Sequence, residues 1–269
     1  MSALLDVLTF KEIAPDVFEG RTSRDGWYTV FGGQLIGQAL RAATLTVEPD
    51  RLPHSLHSYF LRAATFDTPI LFKVDRDREG ATFNSRRVMG YQNDKPIISL
   101  SASFHVEEPG EVRDLAMPDV PPPETLASLP AKDTPVRGME VKPIDGCQLW
   151  ENVGPPAGSM WFRFTDISAQ DRTLTRCLIA YASDLFLINS VIRPHRDRMG
   201  EKTVVTSLDH SLWIHDDAPT GEWMLHTHRS PWATGARGLS CGDIFARDGR
   251  HLASTAQEIL MRLGGSGKA

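Results

Sequence analysis

The sequence predicts an α+β chain of two similar halves, each a meander of antiparallel strands wrapped around one apolar helix. Three observations predict it. The chain divides at "EEPGEVRDLAMPDVPPPETLASLPAKDTP", whose prolines at 109, 118, 121, 122, 123, 130 and 135 forbid both a helix and a central strand. Motifs on the two sides match at a nearly constant offset: "HSYF" (His57 to Phe60) with "HSLW" (His210 to Trp213), 153 residues on, and Asp94 with Asp248, 154 on. Each half also reads as one apolar helical segment followed by long β-like runs. The expected division is therefore a first domain over 1–106, a linker over 107–137 and a second domain over 138–269.

In the first half, Leu35, Ile36, Ala39, Leu40 and Ala43 follow helical spacing, and Gly33 and Gly37 stack one turn apart, where bare backbone lets a sheet approach. Strands are expected over 54–63, 69–78, 82–91 and 96–106, with Glu79-Gly80 and Asn93-Asp94 as turn chemistry. In the second half "LTRCLIAYASDLFLI" (Leu174 to Ile188) is the helix, and strands fall near 203–214, 222–230, 236–246 and 250–261, with Asp248-Gly249 as a hairpin turn. Pairing the halves side by side would cover one open edge of each sheet.

Composition narrows the function. A chain of 269 residues has room for two domains, and 41% hydrophobic with 23% charged residues is a globular balance. No uninterrupted apolar run approaches the ~18 residues that span a bilayer, so no membrane association is expected. The start, "MSALLDVLTFKEIAPD", is broken by Asp6 and Lys11 and does not read as a signal peptide. Cys147, Cys177 and Cys241 lack pair or metal spacing, which fits reduced thiols in a cytoplasm. A net charge of −5 argues against nucleic acid as a partner.

Two motifs fail on context. "GLSCG" (Gly238 to Gly242) matches a nucleophile elbow, which needs a strand turning into a helix; here a hairpin follows, so Ser240 is a strand residue. "GGSGK" near residue 269 has no helix after its lysine to cradle a phosphate. His226 and His228 share one face of a strand but lack acidic or cysteine ligands at motif spacing, so no metal is expected. Arg86 and Arg87, beside a hairpin, are candidates for substrate phosphates or else charges solvated at a strand end. Asp184 stands apart because Leu178, Ile179, Leu185, Phe186 and Leu187 surround it with apolar surface. Such a carboxylate is either a hydrogen-bonded structural acid or a desolvated general base with a raised pKa.

At these residues the chain resembles the acyl-CoA thioesterase II family, built of two fused hotdog domains. The resemblance rests on "VFGGQLIGQAL", "HSLHSYFLR", "FNSRRV", "YASDL", "LDHSLW", "ARG" and "STAQE" in order along nearly the whole chain. It implies thioester hydrolysis of acyl-CoA without a cofactor, a homo-oligomer, and a catalytic set of Asp184 in "YASDL", Ser207 in "SLDH" and Gln257 in "STAQE". Asp184 would take the proton of a water held by Ser207 and Gln257. Backbone N–H groups at a helix start suit an oxyanion, which offers Gly32 and Gly33 a substrate-binding role. Ser103 is expected where Gln257 would stand in the first half, which leaves one active site per chain. Two alternatives remain: a hotdog enoyl-CoA hydratase, disfavoured because no histidine follows Asp184 by a turn, and a non-catalytic acyl-CoA-binding protein.

Overall fold

The computed structural model describes residues 3–23, 29–130, 136, 138–145, 152–165, 167, 171–219 and 221–264. The first half runs α1 (Ala3–Val7), β1 (Phe10–Ala14), β2 (Val17–Gly20), α2 (Gly32–Thr44), β3 (Arg51–Phe60), β4 (Ile70–Glu79), β5 (Phe83–Gln92) and β6 (Lys95–Val106). The second runs β7 (Met139–Ile144), β8 (Ala157–Phe164), α3 (Arg172–Ala182), α4 (Leu187–Ile192), β9 (Val204–Ser207), β10 (Asp209–Ile214), β11 (Met224–Thr234), β12 (Arg237–Ala246) and β13 (His251–Arg262). All pairings are antiparallel, in the order β1-β2-β4-β5-β6-β3-β10-β13-β12-β11-β8-β7, with β9 on β13. Read inward from each edge, the two halves have the same order, and β3 meets β10 at the centre. Each half is a hotdog, and the two sheets join side by side.

Register makes the duplication residue-specific and corrects two expected equivalences. Gly90↔Ile98 precedes a bulge in the β5–β6 ladder, as Ile244↔Ala253 does in the β12–β13 ladder, so the offset is 154 for β5 and 155 for β6. Bulges next to β3 and β10 agree: Pro53↔Phe104 corresponds to Ser207↔Ile259, offsets 154 and 155. His57 therefore corresponds to Ser211, not to His210; indeed His57 faces outward against Trp213 whereas His210 is fully buried. Likewise Ala102, not Ser103, stands where Gln257 does. A one-residue slip puts a strand's side chains on the opposite face, so "HSYF" and "HSLW" look alike and point differently.

The core lies between the helices and the concave face of the sheet. Leu35, Ile36, Ala39 and Leu40 of α2 and Cys177, Leu178, Ile179 and Tyr181 of α3 are all buried. Burial also pushes the Cys177 thiol up to about 12. The glycine pair admits the other half's helix rather than a sheet. A Cβ at Gly33 would lie 2.1 Å from the Tyr181 carbonyl oxygen, and one at Gly37 3.2 Å from that of Cys177. The glutamines of the same motif satisfy backbone beneath α2: Gln34 Nε2 donates to Arg21 O at 3.1 Å, and Gln38 Nε2 to Val7 O and Arg21 O at 2.7 Å.

Two elements depart from expectation beside Asp184. The helix expected over 174–188 breaks after Ala182 and resumes at Leu187, through Phe186 in the left-handed region at φ 60°. The strand expected over 203–214 is split at Leu208, a bulge that shifts its pairing with β13 by one residue. A bulge re-aims the side chains beside it, here Ser207. The helical run Arg172–Arg198 is long and apolar enough to cross a bilayer by composition, yet 94% of its most apolar window is buried inside the protein. The proline-rich stretch lies along the second half: Trp161 Nε1 donates to Pro121 O at 2.9 Å, and Met117, Val120 and Leu126 pack on Trp161 and Trp223.

Candidate active site

The break in the second helix leaves Asp184 projecting toward the start of α2. Aspartate at such a break avoids the helix interior, where a short polar side chain competes for backbone groups. No side chain of its own caps α2, and the Gly33 N–H instead donates to the Asp184 carboxylate, contributed by the other half. A Cβ on Gly32 would sit 2.7 Å from Asp184 Oδ2 and 3.1 Å from the Phe60 ring. The two glycines thus serve different neighbours: Gly33 gives room to Tyr181 and its N–H to the acid, whereas Gly32 keeps open the space over it.

Asp184, Gly32, Ser207 and Gln257 converge on a cavity of about 480 Å³, whose apolar wall includes Phe31, Leu35, Phe60, Phe186, Val205 and Leu208. Gln257, on β13, is buried; its Nε2 donates to Ser207 Oγ at 2.7 Å and to Asp184. Burial pushes the Asp184 carboxyl up to about 7, outweighing the Gln257 amide and the Gly33 N–H, both of which favour the anion. Desolvation wins because two neutral donors replace the full hydration shell of a carboxylate. The result is a carboxylate that ionises near neutrality beside a hydroxyl and an amide, which can hold a water and accept its proton.

Behind Gln257 lies His210, which the sequence reading passed over except as half of a repeat. Its Nδ1 is 2.5 Å from Gln257 Oε1, and its Nε2 is 2.8 Å from Ser183 Oγ and 3.2 Å from Thr255 Oγ1. The available signal was a histidine in "LDHSLW" at a position whose neighbours two away alternate inward, where an unpartnered polar group would be costly.

Other expected site residues lie elsewhere. Arg86 is not a phosphate ligand: its side chain is 0% exposed and bonds Thr46 Oγ1 at 2.8 Å, Thr46 O at 2.9 Å and Glu79 at 2.6 Å. It braces the end of α2 against the sheet. Arg87 is exposed, pairs with Asp75 and Asp77 and does not line the cavity. Ser240 is a buried strand residue bonded to Ser190 Oγ at 2.8 Å. His226 and His228 are buried, and among the described residues no cluster of three metal-ligating side chains forms. Cys147 lies outside the described residues.

The matching place in the first half is unfurnished. Counting from the helix starts, Gly32 and Arg172, Thr44 stands where Asp184 does; by register, Pro53 replaces Ser207 and Ala102 replaces Gln257. Two arginines occupy the place: Arg176 donates to Pro53 O at 3.0 Å and pairs with Asp217, and Arg172, which lines a small cavity there, binds Glu107 and Asp217.

The comparisons with known proteins place the chain in a family. Residues 152–260 match the family model described as acyl-CoA thioesterase, and residues 23–105 the model described as acyl-CoA thioesterase N-terminal domain. The human protein named acyl-coenzyme A thioesterase 8 is 34% identical, the alignment covering 96% of this chain and 88% of that one. The Haemophilus influenzae acyl-CoA thioesterase 2 is 33% identical over 97% of this chain and 98% of its own. The crystal structure of an acyl-CoA thioesterase II from Mycobacterium marinum superposes with a TM-score of 0.85 at 34% identity, covering 97% and 98% of the two chains. With a buried carboxylate held against a glycine-opened helix in a double hotdog and relatives of this identity along its length, the chain belongs to the acyl-CoA thioesterase family.

Proposed function

We propose that this protein hydrolyses acyl-CoA thioesters to a free acid and CoA, with Asp184 as general base and Ser207 and Gln257 holding the attacking water. The observation that carries the reading is the convergence of these three side chains on one cavity, with Asp184 raised to about 7. In the attack, water adds to the thioester carbonyl as its proton passes to Asp184; collapse of the tetrahedral adduct breaks the C–S bond, and the thiolate of CoA takes up the proton. The apolar wall formed by Phe31, Leu35, Phe60 and Phe186 suits an acyl chain, and Gly32 leaves room for the thioester above the acid. Gly33 has its N–H engaged by Asp184, so its part is to hold the base rather than the oxyanion. A turn after Asp184 the cavity wall presents Ile188 and no histidine, which disfavours hydration of an enoyl-CoA.

Release of free thiol from a series of acyl-CoAs tests the reading: hydrolysis gives thiol, hydration gives none, and a binding protein does neither. A single turnover in ¹⁸O-water with enzyme in excess then distinguishes water attack, which labels only the fatty acid, from attack by the carboxylate, which leaves label on the "YASDL" peptide. The same reading carries a cytoplasmic homo-oligomer, which fractionation and sedimentation velocity check.

A further inference from the structure

The proposed base and its two donors are held by groups that never touch the cavity. Gln257 must present nitrogen, not oxygen, to the Asp184 anion, yet an amide can be turned either way at little difference in shape. What fixes the choice is the partner at its other end. Gln257 Oε1 can only accept, so at 2.5 Å the His210 Nδ1 must carry the proton. The ring is then neutral with Nε2 bare and able to accept one hydroxyl proton, from Ser183 Oγ at 2.8 Å or Thr255 Oγ1 at 3.2 Å, while the other hydroxyl keeps its proton on a backbone carbonyl at 2.9 Å, Ala180 O for Ser183 or Ser211 O for Thr255. Burial supports the neutral form by holding this imidazole down at about 4. In the opposite tautomer a bare Nδ1 would face the amide oxygen; the amide would turn over and bring its oxygen against the Asp184 carboxylate.

We infer that His210 is a positioning residue for the reaction: its Nδ1–H locks the Gln257 amide so that both hydrogens of Nε2 point to Asp184 and Ser207. The inference rests on the assignment of Asp184 as base. It extends the machinery one layer inward, as a relay of orientation and not of protons, from the Ser183 and Thr255 hydroxyls through imidazole and amide to the carboxylate. Ser183 directly precedes Asp184, so the helix break that places the base also supplies one partner of the imidazole that orients its donor.

The test uses the full-length protein with His210→Leu, which keeps bulk and loses the donor, and His210→Asn, whose shorter amide can return an N–H near Nδ1. The pH profile is the readout that a merely structural role would not move. The groups around Asp184 are the Gly33 N–H from α2, Ser207 from β9, Gln257 from β13, and Arg62 in the cavity wall, whose Nη1 donates to Pro96 O at 2.8 Å. Asp209 and Glu258 flank Gln257 but are engaged elsewhere, Asp209 with the Glu258 N–H and Glu258 with Arg237. Loss of the oriented amide should therefore raise the pKa of Asp184 and move the acid limb of kcat/KM to higher pH.

For His210→Leu we expect kcat to fall by about 10- to 100-fold, in the range for a lost positioned donor, with KM little changed and the acid limb displaced upward. His210→Asn should recover most of the rate and the limb. A Leu variant with an unmoved limb, or an Asn variant as impaired as Leu, overturns the inference. Long-range ¹H–¹⁵N correlation on histidine-labelled wild-type protein decides the tautomer whether or not either variant folds: a proton on Nδ1 of His210 is required, and one on Nε2 refutes the lock. Asp184→Asn, run alongside, keeps the two readings apart, since hydrolysis surviving in that variant condemns the base assignment itself.

Discussion

Asp184, the proposed base, is a carboxylate balanced between its donors and its burial. Two neutral donors hold the anion, burial opposes it more strongly, and the carboxyl comes to rest near 7. Asp184→Asn should keep the fold and lose nearly all hydrolysis, because asparagine fills the space and cannot take a proton. Ser207→Ala and Gln257→Ala should each lower kcat by about 10- to 1000-fold in thiol-release assays, the range for lost positioning groups. Since the base must be ionised, kcat/KM in the wild type should fall as pH drops through about 7. Stability runs the other way. A carboxyl whose folded pKa is raised binds its proton more tightly when folded, so its contribution is complete below the ordinary value of 3.8 and is lost as pH rises through about 7. Asp184→Asn should therefore melt higher than wild type at pH 8, with an advantage that shrinks toward pH 5 and vanishes only below 3.8, as calorimetry across pH would read. Asp184 stood out by its apolar surroundings, and the resemblance named Ser207 and Gln257 beside it; the three converge on one cavity. His210 was not, because its role depends on the face it occupies, and a bulge decides that face.

At the scale of elements, bare backbone at the opening of α2 serves the opposing helix. Gly33→Ala would drive a methyl into the Tyr181 carbonyl, 2.1 Å away, where the neighbour is backbone and cannot turn aside. We expect a loss of about 1 to 3 kcal/mol in urea unfolding, the usual range for overpacking, together with a fall in kcat as the Gly33 N–H shifts from Asp184. Gly37→Ala, with contacts at 3.1 and 3.2 Å, should cost less. The long strands β3–β6 and β11–β13 were readable from alternation and turn residues. The short outer strands β1, β2, β7 and β8 were not, because at 4 to 8 residues they carry too little alternation, even though Pro15-Asp16 and Asp145-Gly146 follow β1 and β7. The break at Phe186 left no mark in an apolar run that suits a continuous helix.

Across the whole molecule, the site is built from both halves: Gly32, Gly33 and Phe60 come from the first, Asp184, Ser207 and Gln257 from the second. The central pairing of β3 with β10, from Asp209↔Tyr59 to Trp213↔Ser55, closes an edge that each sheet would otherwise expose. A fragment of residues 138–269 should therefore be insoluble or self-associated, and inactive even though it holds all three proposed catalytic residues; a monomeric, active fragment in sedimentation would contradict this dependence. Side-by-side halves and an unfurnished first half were both readable from the repeat, although the residues named as equivalents were one position out.

The emptied counterpart site makes the asymmetry of the chain hard to reverse. Two like halves would begin with two equal chances of catalysis, and either could drift while the other sufficed. On the proposed mechanism, Thr44, Pro53 and Ala102 would all have to change before the first half could activate water, and Arg172 and Arg176, tied to Glu107, Asp217 and the Pro53 carbonyl, would have to let go first. No one of those steps supplies a base alone, and releasing the arginines unpairs Glu107 and Asp217 and frees the Pro53 carbonyl. Selection can tune the surviving site indefinitely, but it has no gradual path back to a pair.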